Sequence, residues 1–481
     1  MKIKINNQEY EARAGETIYQ VCQKNRIKIP TLCSLKDFHE GLCRICVVEQ
    51  NGKLITSCNK QVSDGMEIAT ESEEVSRARR INLELLWSDH AGKCVTCKKN
   101  RKCELQDLAE EYKIENFHFV PRKEELTIGE ELDLLKDNRL RVVVDEGNPA
   151  ISRTTELCVE CRRCINVCPT KEFGFNNRAG DVVVGTPYEK PLDCIFCGQC
   201  VKDCPVGAIT DKNDLPKIIG ELDDLKKMAV ALVDPAILES VAFEQEEMDS
   251  KEKIVGVLQA IGFEKVFDLG FGMELMLEQM EKKIKDSPGK NIILGHCPSL
   301  NLYIQKYYPQ FVENILNVAN PDEIMAEHIK RDYAREQKIN PDDIAVISIS
   351  SCTAKKVSKS ENLDYVITVR ELGRIIRQKN IKLADIKQTD FNNELVRSLA
   401  PPGAKLLLNG KSAKNIIRTG GAAEILAKKT KAKYVVADGI EQIKNILNNL
   451  SKSRIETKII EGMVCPGGCV NGGGQSRNFK F

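Results

Sequence analysis

The chain has 481 residues, which at roughly 150 residues per domain allows about three domains, and its 42% hydrophobic and 29% charged residues are ordinary for a soluble globular protein. Lys+Arg 71 against Asp+Glu 70 leaves a net charge of +1, so no strong field points to nucleic acid or an anionic membrane. No stretch approaches about 18 consecutive apolar residues, which excludes a spanning helix, and the opening MKIKINNQEYEARAG lacks the apolar region of an export signal, so the expected location is cytoplasmic.

The anomaly is 20 cysteines, too many for chance and too dilute for a small disulfide scaffold. Thiols kept reduced and spaced at intervals of two and three residues read as metal ligands. Setting Cys22 aside, the other cysteines and His90 make 20 ligands, enough for five sites of four.

Residues 1–78 begin with KIKINNQEYEA, a strand, an Asn-Asn turn and a second strand. GETIYQVCQKNRI follows as an amphipathic helix with Ile18, Val21 and Cys22 on one face. Cys22 reads as a small buried hydrophobe. A cysteine-bearing loop then leads to CVVEQNGKLITSC, a strand pair broken at Asn51-Gly52. Hairpin, helix, ligand loop and hairpin resemble the plant-type ferredoxin, a β-grasp domain holding [2Fe–2S]. That resemblance puts its four ligands at Cys33, Cys43, Cys46 and Cys58, with a longer first gap than the plant-type pattern.

Residues 79–120 carry His90-x3-Cys94-x2-Cys97-x5-Cys103 between two helical stretches. On spacing alone this set could hold zinc. The neighbouring cluster motifs favour iron, and the segment resembles the [4Fe–4S] site, ligated by one histidine and three cysteines, of iron hydrogenases and of the large iron–sulfur subunit of respiratory NADH dehydrogenase. Residues 120–153 contain no ligand and read as a charged connector. His39, His118 and His328 lack ligand company and read as surface or packing residues.

Residues 121–215 hold the strongest signal. CVECRRCINVCP and CIFCGQCVKDCP each follow C-x2-C-x2-C-x3-C-P, in which three thiolates wrap one cubane while the fourth reaches the other cluster. Cys158, Cys161, Cys164 and Cys204 should hold one [4Fe–4S], and Cys194, Cys197, Cys200 and Cys168 the second. Zinc knuckles would use paired ligands rather than four in a row.

From about Asn213–Pro216 onward, helical stretches alternate with short apolar strands such as AVALVDPAI, NIILGHC, IAVISIS and AKYVVADGI, which predicts α/β layering over 216–481. Ala400-Pro401-Pro402-Gly403 reads as a turn. The last four cysteines lie in LGHCPSL, SISSCTAKKVSKS and EGMVCPGGCVNGGGQ, each just after a predicted strand, where loops gather at one edge of a sheet. The glycines of the last segment permit close backbone approach to a cluster. Taken alone, scattered core cysteines would be an alternative.

In domain order and in these three motifs the chain resembles the large subunit of [FeFe]-hydrogenase over nearly its whole length. The resemblance implies that Cys297, Cys352, Cys465 and Cys469 hold a [4Fe–4S] cubane, with Cys469 at the position that bridges to a diiron site carrying CO and CN. It matches Lys355 to a lysine that hydrogen-bonds a cyanide and Met463 to a pocket methionine. The departures fall in the same pocket. His296 replaces the proton-relaying cysteine, Leu300 a tryptophan, Ser350 and Ser351 a methionine and proline, and Ser358 the acid next in the proton path. The family's glycine-rich stretch is shortened to RTGGAAEILAK, and 12 residues follow Cys469 where the family usually continues with a helical segment.

Heterolytic hydrogen cleavage needs a base beside the metal and a route for the proton, whereas a cubane needs only its four thiolates. The expectation is therefore an iron–sulfur electron-transfer subunit with one [2Fe–2S] and four [4Fe–4S] clusters and no diiron subsite. By the resemblance, its partners would be flavin/NAD(P)-binding and ferredoxin-like subunits of an electron-bifurcating complex, ferredoxin, and a catalytic unit such as formate dehydrogenase. Exposed cubanes predict oxygen sensitivity and an anaerobe. The alternative is an active or sensory [FeFe]-hydrogenase in which His296, Lys355 and Cys469 serve the reaction and Glu278 or Glu281 replaces the lost proton path. A non-redox scaffold is the third reading.

Overall fold

The computed structural model describes residues 1–481 except 36–37, 89, 91–92, 96, 116–117, 120–143, 146, 155–156, 179–180, 186–193, 225, 244–249, 288, 393–414, 453–456 and 476–481. Most of the charged connector and the turn at Ala400–Gly403 lie outside the described residues. Two compact units emerge. One comprises Met1–Gly147, Ser152–Leu192 and Asp203–Thr210, the other Asn148–Ile151, Asp193–Lys202 and Asp211–Phe481.

In the first unit, Lys2–Ile5 pairs antiparallel with Gln8–Glu11 through a turn whose Asn6 and Asn7 have φ of 50° and 65°. Asparagine tolerates that left-handed conformation, which matches the twist of the strands. Glu67–Ile68 adds a parallel strand on the other side of Lys2–Ile5. The helix Ile18–Lys24 starts at Thr17, whose hydroxyl and the Gln20 side chain form a reciprocal capping box. Its face of Ile18, Val21 and Cys22 packs into one core with Ile3, Ile5, Val48 and Ile68. A second hairpin, Val47–Gln50 with Lys53–Thr56, turns at Asn51-Gly52. Glu73–Ser88 then forms a long helix whose buried Arg79 donates to the Val47 carbonyl at 2.8 Å. Glu104–Glu111 is a second helix, held by paired bonds of 2.8 and 2.9 Å between the Glu104 carboxylate and the buried Arg163 guanidinium.

The second unit contains two four-stranded parallel sheets. Their strand orders are Lys265–Asp268, Met228–Val233, Ile344–Ser350, Tyr365–Thr368, and Ile315–Leu316, Ile292–Leu294, Ile459–Met463, Tyr434–Asp438. Fully buried runs such as Ala229–Val233 and Ile344–Ser350 are what parallel strands covered on both faces require. The α/β alternation read from the sequence is present, but the cysteine loops do not share one sheet edge. Cys352 follows a strand of the first sheet, while Cys297 and Cys465 follow adjacent strands of the second. Short apolar runs specify that a strand forms and not which neighbour it pairs with.

Candidate metal centres

Cys33, Cys43, Cys46 and Cys58 are buried within the β-grasp segment, and their sulfurs lie within hydrogen-bonding reach of one another. Bonds from Cys43 and Cys58 hold the Cys33 thiol far below its usual value, and a bond from Cys58 holds Cys46 down to about 7. Cys43 and Cys58 are pushed up in turn. Four buried thiols linked by such sulfur–sulfur contacts suit a small iron–sulfur cluster. The Leu32 N–H also points at Cys43 Sγ, 3.4 Å away. Cys22 is fully buried in the same core on the helix face, where burial pushes its thiol up to about 12.

His90 is buried and opens a series of turns that carry Cys94 and Cys97, after which Cys103 stands at the start of the helix Glu104–Glu111. Burial and then Cys97 raise the Cys94 thiol, and burial foremost raises Cys103 to about 11. A methyl group at Gly207 would come within 2.4 Å of Cys97 Sγ, so Gly207 and the Cys97 sulfur lie in close contact.

The two ferredoxin-type runs share a backbone signature. Glu160 and Arg162 in the first run, and Phe196 and Gly198 at the same offsets in the second, all have φ between 54° and 72°. Alternate left-handed residues curl each run so that its cysteines face inward. Cys158, Cys161 and Cys164 of the first run and the distant Cys204 line one small cavity, walled by Val159, Val206, Ala208 and Ile209. Burial pushes Cys161 and Cys164 up, and the neighbouring sulfurs add to the effect. Of the second run, Cys197 and Cys200 are buried, and Cys194 Sγ accepts a bond of 3.2 Å from the Asn148 side-chain amide.

In the second unit, Cys297, Cys352, Cys465 and Cys469 approach closely enough for their charges to interact. Burial is the largest influence on each, raising Cys297 to about 11 and Cys352 to about 12. Such thiols ionise only against compensating positive charge, which a metal cluster supplies. Glycines let the loops that carry them pack closely. A Cβ at Gly468 would lie 2.4 Å from the Ile417 carbonyl oxygen, and one at Gly472 would lie 2.2 Å from that of Ser351. The loop therefore depends on glycine at both positions. The donor set, its burial and the glycine loop fit an iron–sulfur cubane.

Around these thiols lies a polar lining that sequence reasoning reaches only in part. Lys355 forms an ion pair with the buried Asp322, whose other oxygen accepts from the Ser348 hydroxyl. Burial works against the Lys355 charge, but Asp322 and Asp234 prevail and hold its pKa above the usual lysine value. Asp234 accepts from the Ser351 hydroxyl at 2.7 Å and from the Ala236 N–H at 2.9 Å. His296 is buried with Nε2 3.6 Å from Glu461 Oε1. Glu461 in turn accepts backbone N–H bonds of 3.1 Å from Gly420 and 2.6 Å from Ala423, at the start of the helix Gly421–Thr430. Met463 is buried at the end of its strand. Asp234, Asp322 and Glu461 escape sequence reading because a carboxylate far along the chain gives no local signal. Glu281 pairs with Lys285 and Lys429. His39 approaches Ser34, His118 pairs with Glu84, and His328 with Asp332.

Comparison with known proteins bears on the whole chain. The family profile described as iron only hydrogenase large subunit, C-terminal domain, matches residues 227–473, just over half of the sequence. Ahead of it, a 2Fe-2S iron-sulfur cluster binding domain matches 1–73, the NADH-ubiquinone oxidoreductase-G iron-sulfur binding region 79–118, and a 4Fe-4S dicluster domain 157–208. Among curated relatives, the NADP-reducing hydrogenase subunit HndD of Solidesulfovibrio fructosivorans is 28% identical, across 99% of this chain and 88% of its own length. Iron hydrogenase 1 of Clostridium pasteurianum is 27% identical, across 98% of this chain and 88% of its own. The mitochondrial NADH-ubiquinone oxidoreductase 78 kDa subunit of Neurospora crassa is 30% identical over 44% of this chain and 28% of its own.

Proposed function

The chain belongs to the iron-only hydrogenase large-subunit family, and within that family we propose that it serves as an iron–sulfur electron-relay subunit of an NAD(P)-linked oxidoreductase. The observation that carries this reading is the C-terminal site, where four cysteines approach one another while His296, Ser350 and Ser351 adjoin two of them in sequence and Lys355 is ion-paired with Asp322. Relatives named as an NADP-reducing hydrogenase subunit and an NADH-ubiquinone oxidoreductase 78 kDa subunit support the nicotinamide link.

The ligand sets would be Cys33, Cys43, Cys46 and Cys58 for [2Fe–2S], then His90, Cys94, Cys97 and Cys103 for a first cubane. Cys158, Cys161, Cys164 and Cys204 would hold the next, Cys194, Cys197, Cys200 and Cys168 another, and Cys297, Cys352, Cys465 and Cys469 the last. Clusters in these positions accept and release electrons one at a time, at potentials set by charge, hydrogen bonds and burial. The residues themselves hold the sulfurs, exclude water with apolar walls such as Val159 and Val206, and donate N–H groups to sulfur. Lys355, held protonated, offsets part of the negative charge near Cys352 and Cys469.

The acid next in the family's proton path is replaced by Ser358, and the cysteine that relays protons by His296. We therefore read the diiron subsite as lost. The electrons would pass between a flavin- and NAD(P)-binding, electron-bifurcating module with its ferredoxin and a separate catalytic unit, formate dehydrogenase being one fit, in an anaerobic cytoplasm. The test is anaerobic production together with the diiron-site maturation enzymes, followed by infrared spectroscopy and iron analysis. Iron matching one [2Fe–2S] and four [4Fe–4S] clusters, without CO or CN stretches, is the expected result. CO and CN bands with hydrogen turnover would overturn it.

One observation favours a second reading, an active hydrogenase with a divergent relay. His296 and Glu461 form a buried imidazole–carboxylate pair where the family has its proton-relaying cysteine. In that case His296→Ala abolishes hydrogen turnover; under the relay reading there is no turnover to lose.

A further inference from the structure

We infer that Gln199 is a positioning residue that raises the reduction potential of the cluster held by Cys465, and so sets the direction of the last electron transfer. The inference rests on the reading that the final four cysteines hold a cluster. Gln199 lies between Cys197 and Cys200 of the second ferredoxin-type run, yet its side-chain amide donates to Cys465 Sγ at 3.1 Å and to the Asn471 carbonyl at 3.1 Å. Two further contacts fix the same pairing. Lys202 donates to the Asn471 carbonyl at 3.1 Å. A Cβ at Gly473 would fall 1.9 Å from the Cys197 carbonyl oxygen, so the two cysteine loops touch backbone to backbone.

An N–H group directed at a ligating sulfur stabilises the more negative, reduced state of a cluster more than the oxidised state, and this raises its potential. Bonds to charged acceptors are roughly twice as strong as neutral ones. Gln199 places that donor on the sulfur of one site while its own neighbours Cys197 and Cys200 belong to another. The donor thus favours the electron on the Cys465 side. The two bonds that Gln199 makes also hold the loops in register, since one amide group spans Cys465 and Asn471.

The test is an EPR-monitored redox titration of the full chain, prepared anaerobically, as wild type, Gln199→Leu and Gln199→Glu. Cys465→Ser identifies the signal of the C-terminal cluster by altering it. Gln199→Leu should shift that cluster's reduction equilibrium roughly tenfold toward the oxidised form, a midpoint about 59 mV lower for one electron. Gln199→Glu, which keeps the size but adds negative charge, should lower it further. The [2Fe–2S] midpoint should stay put. An unmoved C-terminal midpoint, or one equal shift at every cluster, overturns the inference. Should the leucine variant not assemble, the wild type labelled with 15N-glutamine serves in its place. A weak nitrogen hyperfine coupling at the reduced C-terminal cluster should change with the label, and no such coupling also overturns the inference. A wild-type chain without any C-terminal cluster signal would instead overturn the relay reading, and with it the inference.

Discussion

Burial works against the charge on Lys355, yet the carboxylates of Asp322 and Asp234 keep it protonated. An ammonium so enclosed is costly to leave without its anion, because neither water nor another acceptor replaces it cheaply. Asp322→Asn should therefore destabilise the chain by about 3 kcal/mol or more, read as a lowered midpoint in anaerobic chemical unfolding. Lys355→Met in the same background should recover most of that loss. If the single variant unfolds like wild type, the pair holds nothing together. The lysine itself is legible in SCTAKK through its family motif, whereas its partner Asp322 is not. Thirty-odd residues of chain separate the two, and only the folded arrangement brings that carboxylate to the site.

Within single elements, local rules decide more. The Asn-Asn turn, the capped helix and the Asn-Gly hairpin are readable from adjacent residues, and the strands of the C-terminal unit from apolar runs, because each signal lies inside the element it describes. The strand Ile459–Met463 is less legible. Its IIEGM contains a buried glutamate and a glycine, and the N–H groups of Gly420 and Ala423, distant in sequence, make burial of Glu461 tolerable. The helix Gly270–Lys285 shows what a half-buried carboxylate does beside a second carboxylate. Burial first, then the charge of Glu278, lifts Glu274 to about 7, with Lys429 opposing and Asp268 assisting. A carboxyl that binds its proton more tightly folded than unfolded adds stability at low pH and loses it as pH rises from about 4.5 to about 7. Glu274→Gln should thus leave stability nearly unchanged at pH 4 and increase it above pH 7, as measured by unfolding midpoints across that range. A variant equally stable to wild type at both ends would show that Glu274 is well solvated. Gly473 makes the opposite kind of prediction, because its site admits no side chain at all. Gly473→Ala places a Cβ against the Cys197 carbonyl. It should lower cluster iron and slow reduction of the C-terminal cluster in rapid-mixing absorbance measurements, while sparing the [2Fe–2S] signal.

Across the whole molecule, the cysteine sites differ in how far the chain must travel to complete them. Cys33, Cys43, Cys46 and Cys58 all lie in one short stretch of the β-grasp segment, where all four are buried and Cys46 and Cys58 belong to its core. Cys204 instead joins Cys158, Cys161 and Cys164 across one cavity, so that site closes only when two separated runs have folded together. Loss of a ligand should follow this geometry. With the proposed ligands, Cys58→Ala should remove the two irons of [2Fe–2S] and leave the cubane signals in place, because its sulfur contacts are with Cys33 and Cys46 of the same set. Cys204→Ala should remove a full cubane and also loosen the turn at Pro205, whose carbonyl accepts the Glu104 N–H at 3.0 Å and so joins this site to the helix behind Cys103. Iron analysis with EPR of the reduced protein distinguishes the two. Equal iron loss in both variants would mean that the sites assemble as one cooperative unit, and the relay would then have to be treated as a single structure rather than a series of independently built stations.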